Sequence, residues 1–196
     1  MWLEQRGCDA IIAQGNEAGG HRGIFLDDEV ASQPGTFALV PQVADAVSVP
    51  VIAAGGITDA RGIAAAFALG ASAVQIGTAY LFCPEARISP PHRAALATAR
   101  DDATMVTRVF TGRPARSIAN RVMREIGPMS ELAPAFPLAG GALTPLRAKS
   151  EPAGSGDFMP LWAGQAARLG REMPAGALTR LLAQEAQALM AKLANR

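Results

Sequence analysis

Pro50-Val51-Ile52-Ala53-Ala54-Gly55-Gly56 and Ser72-Ala73-Val74-Gln75-Ile76-Gly77-Thr78 decide the fold. Each is a short apolar run rich in β-branched and small residues, and each ends on glycine. Such runs read as strands buried on both faces. Ala60 to Leu69 lies between them with helical character, Thr58 or Asp59 can cap it, and Gly70 closes it. Strand, helix and strand in that order read as a parallel βαβ unit.

The same period extends backwards. Leu3 to Arg6 resembles a last helical turn with Gly7 as its cap, and Ala10-Ile11-Ile12-Ala13 reads as another buried strand. Phe37 to Val47 carries helical spacing at Phe37, Val40, Ala44 and Val47. Three apolar strands alternating with helices predict an α/β fold with a parallel sheet covered on both faces. Three strands do not close a barrel, so the sheet is either open or belongs with strands outside this chain.

The remainder is less regular. His92 to Ala99 is predicted helical, Thr104 to Thr111 strand, and Ala115 to Ile126 helix. Pro128 to Gly156 reads as loops with one short helix. Leu161 to Arg171 and Ala175 to Leu193 are predicted helices, the last with an apolar face of Leu178, Leu181, Leu182, Leu189, Met190 and Leu193.

Composition narrows the function. With 196 residues, 49% hydrophobic, the chain can bury a sizeable core. A formal charge of +1 gives no basic face for nucleic acid or an anionic membrane. Gly62 to Cys83 is uncharged, but Gly70, Ser72, Gln75, Gly77 and Thr78 interrupt it, so it reads as a buried helix and strand rather than a membrane span. Cys8 and Cys83 show no metal-ligand spacing and make no disulfide framework, so no metal is expected and a reducing, cytoplasmic setting is.

Two features point to chemistry. Backbone N–H groups approach a phosphate closely where side chains are absent, and Gly55-Gly56 and Gly77-Thr78 end successive strands. In an eight-stranded parallel barrel, the loops after the last two strands and a short helix form the phosphate site. Either pair alone could simply serve a tight turn; both together favour phosphate. The second feature is Gln14-Gly15-Asn16-Glu17-Ala18-Gly19-Gly20-His21-Arg22-Gly23, with four glycines in ten residues. Such a loop can pass close under a flat ring system, and His21 can exchange a proton near neutral pH. Glu17 and Arg22 are expected to pair or to orient neighbours, and His92, after Pro90-Pro91, to lie at the surface.

These stretches resemble the signature blocks of the nitronate monooxygenases, formerly 2-nitropropane dioxygenases. The blocks are Gln14 to Gly23, Pro50 to Ile57, Ala73 to Thr78, Phe110-Thr111-Gly112-Arg113-Pro114-Ala115-Arg116 and Leu161-Trp162-Ala163-Gly164-Gln165, in order over nearly the whole chain. The resemblance implies an FMN-dependent TIM barrel, here the last three βα units of a (β/α)8 barrel with a mainly helical C-terminal segment: residues 1–100 as the C-terminal part of the barrel, 101–160 as an inserted substrate-side segment with loops, and 161–196 as helices packing on the barrel. It implies His21 as the active-site histidine and Gln14 and Gly19 as flavin contacts. Gly56, Gln75, Ile76, Gly77 and Thr78 would hold the ribityl chain and phosphate, and Trp162 and Gln165 would lie on a covering loop. The implied reaction is oxidation of an alkyl nitronate or nitroalkane by O2 to a carbonyl compound and nitrite. The family's opening strand and glycine-rich loop are expected to be missing, which makes a homodimer or a complementing N-terminal barrel segment the expected partner.

Two alternatives accompany this reading. The FMN-dependent enoyl-acyl-carrier-protein reductases share the Glu17-Ala18-Gly19-Gly20-His21 loop and the Ala54-Gly55-Gly56-Ile57 strand end, and Gly156-Asp157-Phe158-Met159 with Ala163-Gly164-Gln165 also fits them. The other is a non-catalytic remnant, in which the strand beginning at Ala10 is left with an unpaired edge.

Overall fold

In the computed structural model, residues 1–24 and 29–195 are described; Phe25 to Asp28 and Arg196 lie outside them. In chain order they form strand β1 (Ile11–Gln14), the two-residue strand β2 (Gly20–His21), helix α1 (Thr36–Ala46), β3 (Val51–Ala54), α2 (Ala60–Ala68) and β4 (Ala73–Gln75). Helix α3 (Pro90–Ala97), β5 (Thr104–Thr107), β6 (Ala115–Ile118), α4 (Arg121–Ile126), α5 (Ala139–Ser150) and α6 (Ala175–Ala194) follow.

The three apolar runs form one parallel sheet in the order β1-β3-β4. Ile11 pairs with Val51 and Gln14 with Ala54, while Ile52 pairs with Ala73 and Ala54 with Gln75. Helices α1 and α2 are its crossovers, so the parallel α/β reading holds. Asp59 caps α2 by accepting from Arg61 N–H, and Gly70, at a φ of 97°, takes the chain out of it. Val40, Val51, Ala53, Ile57, Ile63 and Ala66 share one core with Leu178, Leu182 and Ala186 of α6, which therefore packs across α2. Both flanking strands are sheet edges among the described residues, and Ile12 of β1 is 54% exposed.

Several expectations need correction. Phe37 does not face the core: it is 73% exposed, and α1 turns Thr36 and Val40 inward instead. Leu193, expected on the apolar face of α6, is exposed as well. Ala115 to Ile118 is strand rather than helix, because it pairs antiparallel with both β5 and β2 and every residue in it is buried. Only Arg121 onward is helical. Leu161 to Arg171 is not a helix either, apart from a 3-10 turn at Ala167–Leu169. Ser117 Oγ accepts from Leu161 N–H, Ile118 N–H donates to Leu161 O, and Trp162 bridges Ser117, so that stretch extends along β6. The segment after residue 100 therefore adds β5 and β6 to β2 in a small antiparallel sheet, ordered β2-β6-β5, with helices around it. No helix among the described residues is long and apolar enough to cross a membrane.

Candidate active site

The loop after β1 is folded on itself by three polar side chains. Gln14 clamps it, with Nε2 donating to His21 O at 2.9 Å and Oε1 accepting from Gly23 N at 2.7 Å. Glu17 reaches the start of α1 and accepts from Thr36 N–H at 2.8 and 2.9 Å, an N-terminal cap supplied from a distant loop. Arg22 is buried and donates to the carbonyls of Gly15, Asn16, Ala18 and Gly20. Burial, and secondarily Arg116, lowers its pKa to about 10, so it remains charged at neutral pH. Glu17 and Arg22 thus orient neighbours and do not pair through a direct ion contact.

Arg116 of β6 secures the loop from the other side. Its Nε donates to Asn16 O at 2.9 Å and a terminal nitrogen to Asn16 Oδ1 at 3.1 Å. The β2 ladder then sets Gly20 opposite Arg116 and His21 opposite Ala115.

His21 therefore projects from a strand end, not from a free loop. Its Nε2 lies 2.9 Å from Thr111 Oγ1, and its ring sits 5.5 Å from that of Trp162 at 51°. Phe110 meets the same indole edge-on at 5.7 Å. Partial burial lowers the His21 pKa below 6.5, with Arg113 and Arg22 repelling its charged form as lesser causes. The imidazole is consequently neutral near pH 7, as a general base requires. His92, expected at the surface, is buried; its Nε2 bonds Trp162 O at 3.0 Å, so it supports the indole from behind.

A cleft of about 230 Å³ opens beside this assembly. Gln14, Gly19, Gly56, Gln75, Gly77 and Thr78 line it with Gly20, Thr58 and Trp162. Pockets enclosing a drug-sized ligand hold about 300–1,000 Å³, so these residues make a wall rather than an enclosure. Ile76 is the one expected contact whose side chain leaves the cleft; it packs against the main core. His21 stands at the rim, next to Gly20 and Trp162.

The glycines divide by what surrounds them. A Cβ on Gly19 would come within 2.6 Å of the Ala163 and Gly164 backbone, so that glycine is needed for packing. A Cβ on Gly77 would meet nothing within 4 Å, and its φ of −102° suits any residue. Nothing in the fold demands glycine there. Among the described residues, the N–H groups of Gly56, Gly77 and Thr78 donate to no backbone carbonyl. The Thr78 hydroxyl is engaged, accepting from Gly164 N–H at 2.8 Å. The open Gly77 and these N–H groups form a cradle suited to an anionic group.

Thr111, Arg113 and Arg116 were legible only as members of a resembling block. Their roles depend on β6, which local sequence disguises as helix.

The family model described as Nitronate monooxygenase matches residues 1–185. A probable nitronate monooxygenase of Bacillus subtilis is 43% identical over 186 residues, covering 94% of this chain and 54% of that protein. The nitronate monooxygenase of Pseudomonas aeruginosa is 45% identical over 184 residues, covering 93% and 52%. Among solved structures, a nitroalkane oxidase from Streptomyces ansochromogenes superposes with a TM-score of 0.90 at 44% identity, covering 98% of this chain and 55% of that one. FabK from Thermotoga maritima superposes with a TM-score of 0.81 at 35% identity, covering 99% and 59%. The chain spans about half the length of the curated relatives it matches. A family model matched along almost the entire sequence, with relatives this similar, gives one conclusion: the chain belongs to the nitronate monooxygenase family.

Proposed function

We propose that this chain carries the base and much of the cofactor cradle of an enzyme that oxidises alkyl nitronates and nitroalkanes with O2 to carbonyl compounds and nitrite. The observation that carries the reading is a neutral histidine, His21, set against Trp162 at the rim of a cleft lined by two glycine-ended strands. The residues of that wall suit one side of FMN. Gly56, Gly77 and Thr78 N–H groups would hold its phosphate end, with Gln75 and the Ile76 backbone beside the ribityl chain. Gln14 and Gly19 would lie nearer the ring, and Trp162 and Gln165 on the covering segment. When bound, FMN supplies the electron-accepting chemistry that no side chain provides.

The chain's own part is proton transfer and placement. His21 removes the acidic proton from the carbon beside the nitro group, and the electron pair left on carbon makes the nitronate. Burial, aided by Arg113 and Arg22, keeps the base unprotonated, and the positive potential of those two arginines favours an anionic nitronate. Trp162 closes one side with an apolar surface.

The three βα units are read as the closing part of a (β/α)8 barrel, completed by chain that adds to the edges of β1 and β4. The exposed Ile12 and the relatives' greater length support that completion. Joining this chain to the front portion of the Pseudomonas aeruginosa relative should give a stoichiometric FMN protein, while the isolated 196 residues bind FMN weakly or not at all. A yellow, stoichiometric preparation of the isolated chain would overturn the need for completion. Oxygen uptake with propionate 3-nitronate tests the activity. NADH oxidation with a crotonyl thioester, in its place, would favour the enoyl-acyl-carrier-protein reductase, and neither would leave the non-catalytic remnant.

A further inference from the structure

We propose that Thr111 is a positioning residue that fixes the Nε2–H tautomer of His21, leaving Nδ1 to receive the substrate proton. The inference rests on reading His21 as the base and adds which nitrogen acts and what selects it.

The Thr111 hydroxyl has three neighbours. It donates to Arg113 O at 3.2 Å, it accepts from Arg113 N–H at 3.3 Å, and His21 Nε2 lies 2.9 Å away. A hydroxyl has one proton and two lone pairs. Arg113 O can only accept and Arg113 N–H can only donate. With the proton directed at Arg113 O and one lone pair at Arg113 N–H, the remaining lone pair faces the imidazole. Nε2 must then carry the hydrogen, which leaves Nδ1 with the free lone pair.

The turn that imposes this is well held. Gly112 adopts a φ of 86°, which L side chains avoid, and brings the Thr111 hydroxyl back onto the Arg113 backbone. A Cβ there would collide with the backbone of Pro134 to Phe136, so the turn is packed from outside. The arrangement also suits the step itself. As Nδ1 gains the proton from carbon, Nε2–H stays directed at Thr111, whose oxygen accepts more strongly from imidazolium than from imidazole.

Only two histidines are present, so nitrogen NMR of the 196-residue chain can address both. His92 supplies an internal reference, because its Nε2 faces the Trp162 carbonyl and must also be protonated. His21→Asn assigns the signals by loss. Above the His21 titration, Nε2 should show a pyrrole-type signal and Nδ1 a pyridine-type one. Thr111→Val should move His21 toward a tautomer mixture and leave His92 unchanged, and Thr111→Ser should restore the native pattern. In the FMN-loaded enzyme, Thr111→Val should lower kcat/KM for neutral nitroethane about five- to tenfold, the loss of one neutral hydrogen bond. Preformed nitronate, needing no deprotonation, should change less than twofold.

A pyridine-type Nε2 in the native chain would overturn the proposal, as would an unchanged tautomer in Thr111→Val or no restoration by serine. Should the valine variant fail to fold, the native and serine spectra still decide. If the tautomer pattern holds but nitroethane is not turned over, the proposed function fails while the tautomer assignment stands.

Discussion

The parallel sheet and the antiparallel sheet contribute differently to one site. The parallel strands β3 and β4 end in glycines and offer backbone N–H groups, so their share of the cleft is made by leaving side chains out. The antiparallel sheet β2-β6-β5 offers side chains: His21 on β2, Arg116 on β6, and Trp162 bridged to Ser117. One region is written in short-range pattern, and the other exists only when distant segments meet. Under the proposed function, a site divided in this way would separate cofactor holding from proton transfer, so substitutions in the two regions should produce different failures.

The largest effect belongs to the antiparallel side. In an FMN-loaded enzyme, His21→Asn should lower oxidation of neutral nitroethane by about 10²–10⁴-fold while FMN content is retained. Unchanged oxygen uptake would break the assignment of proton transfer to this sheet. Arg22→Met should cost about 3 kcal/mol of stability, because four loop carbonyls lose a buried charged donor. Denaturant unfolding measures it, and a change under about 0.5 kcal/mol would show that the loop holds itself.

The parallel side should respond in the opposite sense. Gly77→Val should weaken FMN binding about tenfold or more by titration while leaving the melting temperature unchanged, since its Cβ meets nothing in the fold. Gly19→Ala is the contrasting case, expected to cost about 1–3 kcal/mol through its collision with the backbone at 163–164. If Gly77→Val destabilised the chain as Gly19→Ala does, the cradle would be a packing feature.

The smallest effect is in pH. Burial is the main cause lowering the pKa of both His21 and His92 below 6.5, so the folded state favours their neutral forms. The stability this confers is complete above pH 6.5 and is lost as pH falls through the folded-state values. The acid limb of kcat/KM for nitroethane should accordingly have its midpoint below 6.5. A midpoint above 6.5 would mean that the arginines and burial do not govern His21.

Legibility followed the range of the interactions. The β1, β3 and β4 runs were readable because short, mostly apolar stretches that soon reach a glycine have few other uses in a folded chain. Asp59 and Gly70 marked the bounds of α2 for equally local reasons. Phe37 was misplaced because helical spacing identifies a stripe but not its edge, and α1 turns Thr36 inward under the Glu17 cap. Ala115 to Ile118 was misread because alanine and arginine favour helix locally, while pairing on both sides with β2 and β5 overrides that preference. His92 followed two prolines that do begin a helix, yet nothing local showed that Trp162 O waits beside it.

By itself, the sequence determined the parallel βα order, the two glycine-ended strands and the histidine among glycines, because each depends on residues a few positions apart. The tertiary structure alone decided that His21 rests on Thr111 and Trp162, that Arg22 and Arg116 hold its loop, and that Gly77 is free of packing demands while Gly19 is not. The contacts of His21, Arg116 and Gly19 come from segments about ninety to one hundred and forty residues apart meeting through backbone pairing and burial, which no local spacing encodes.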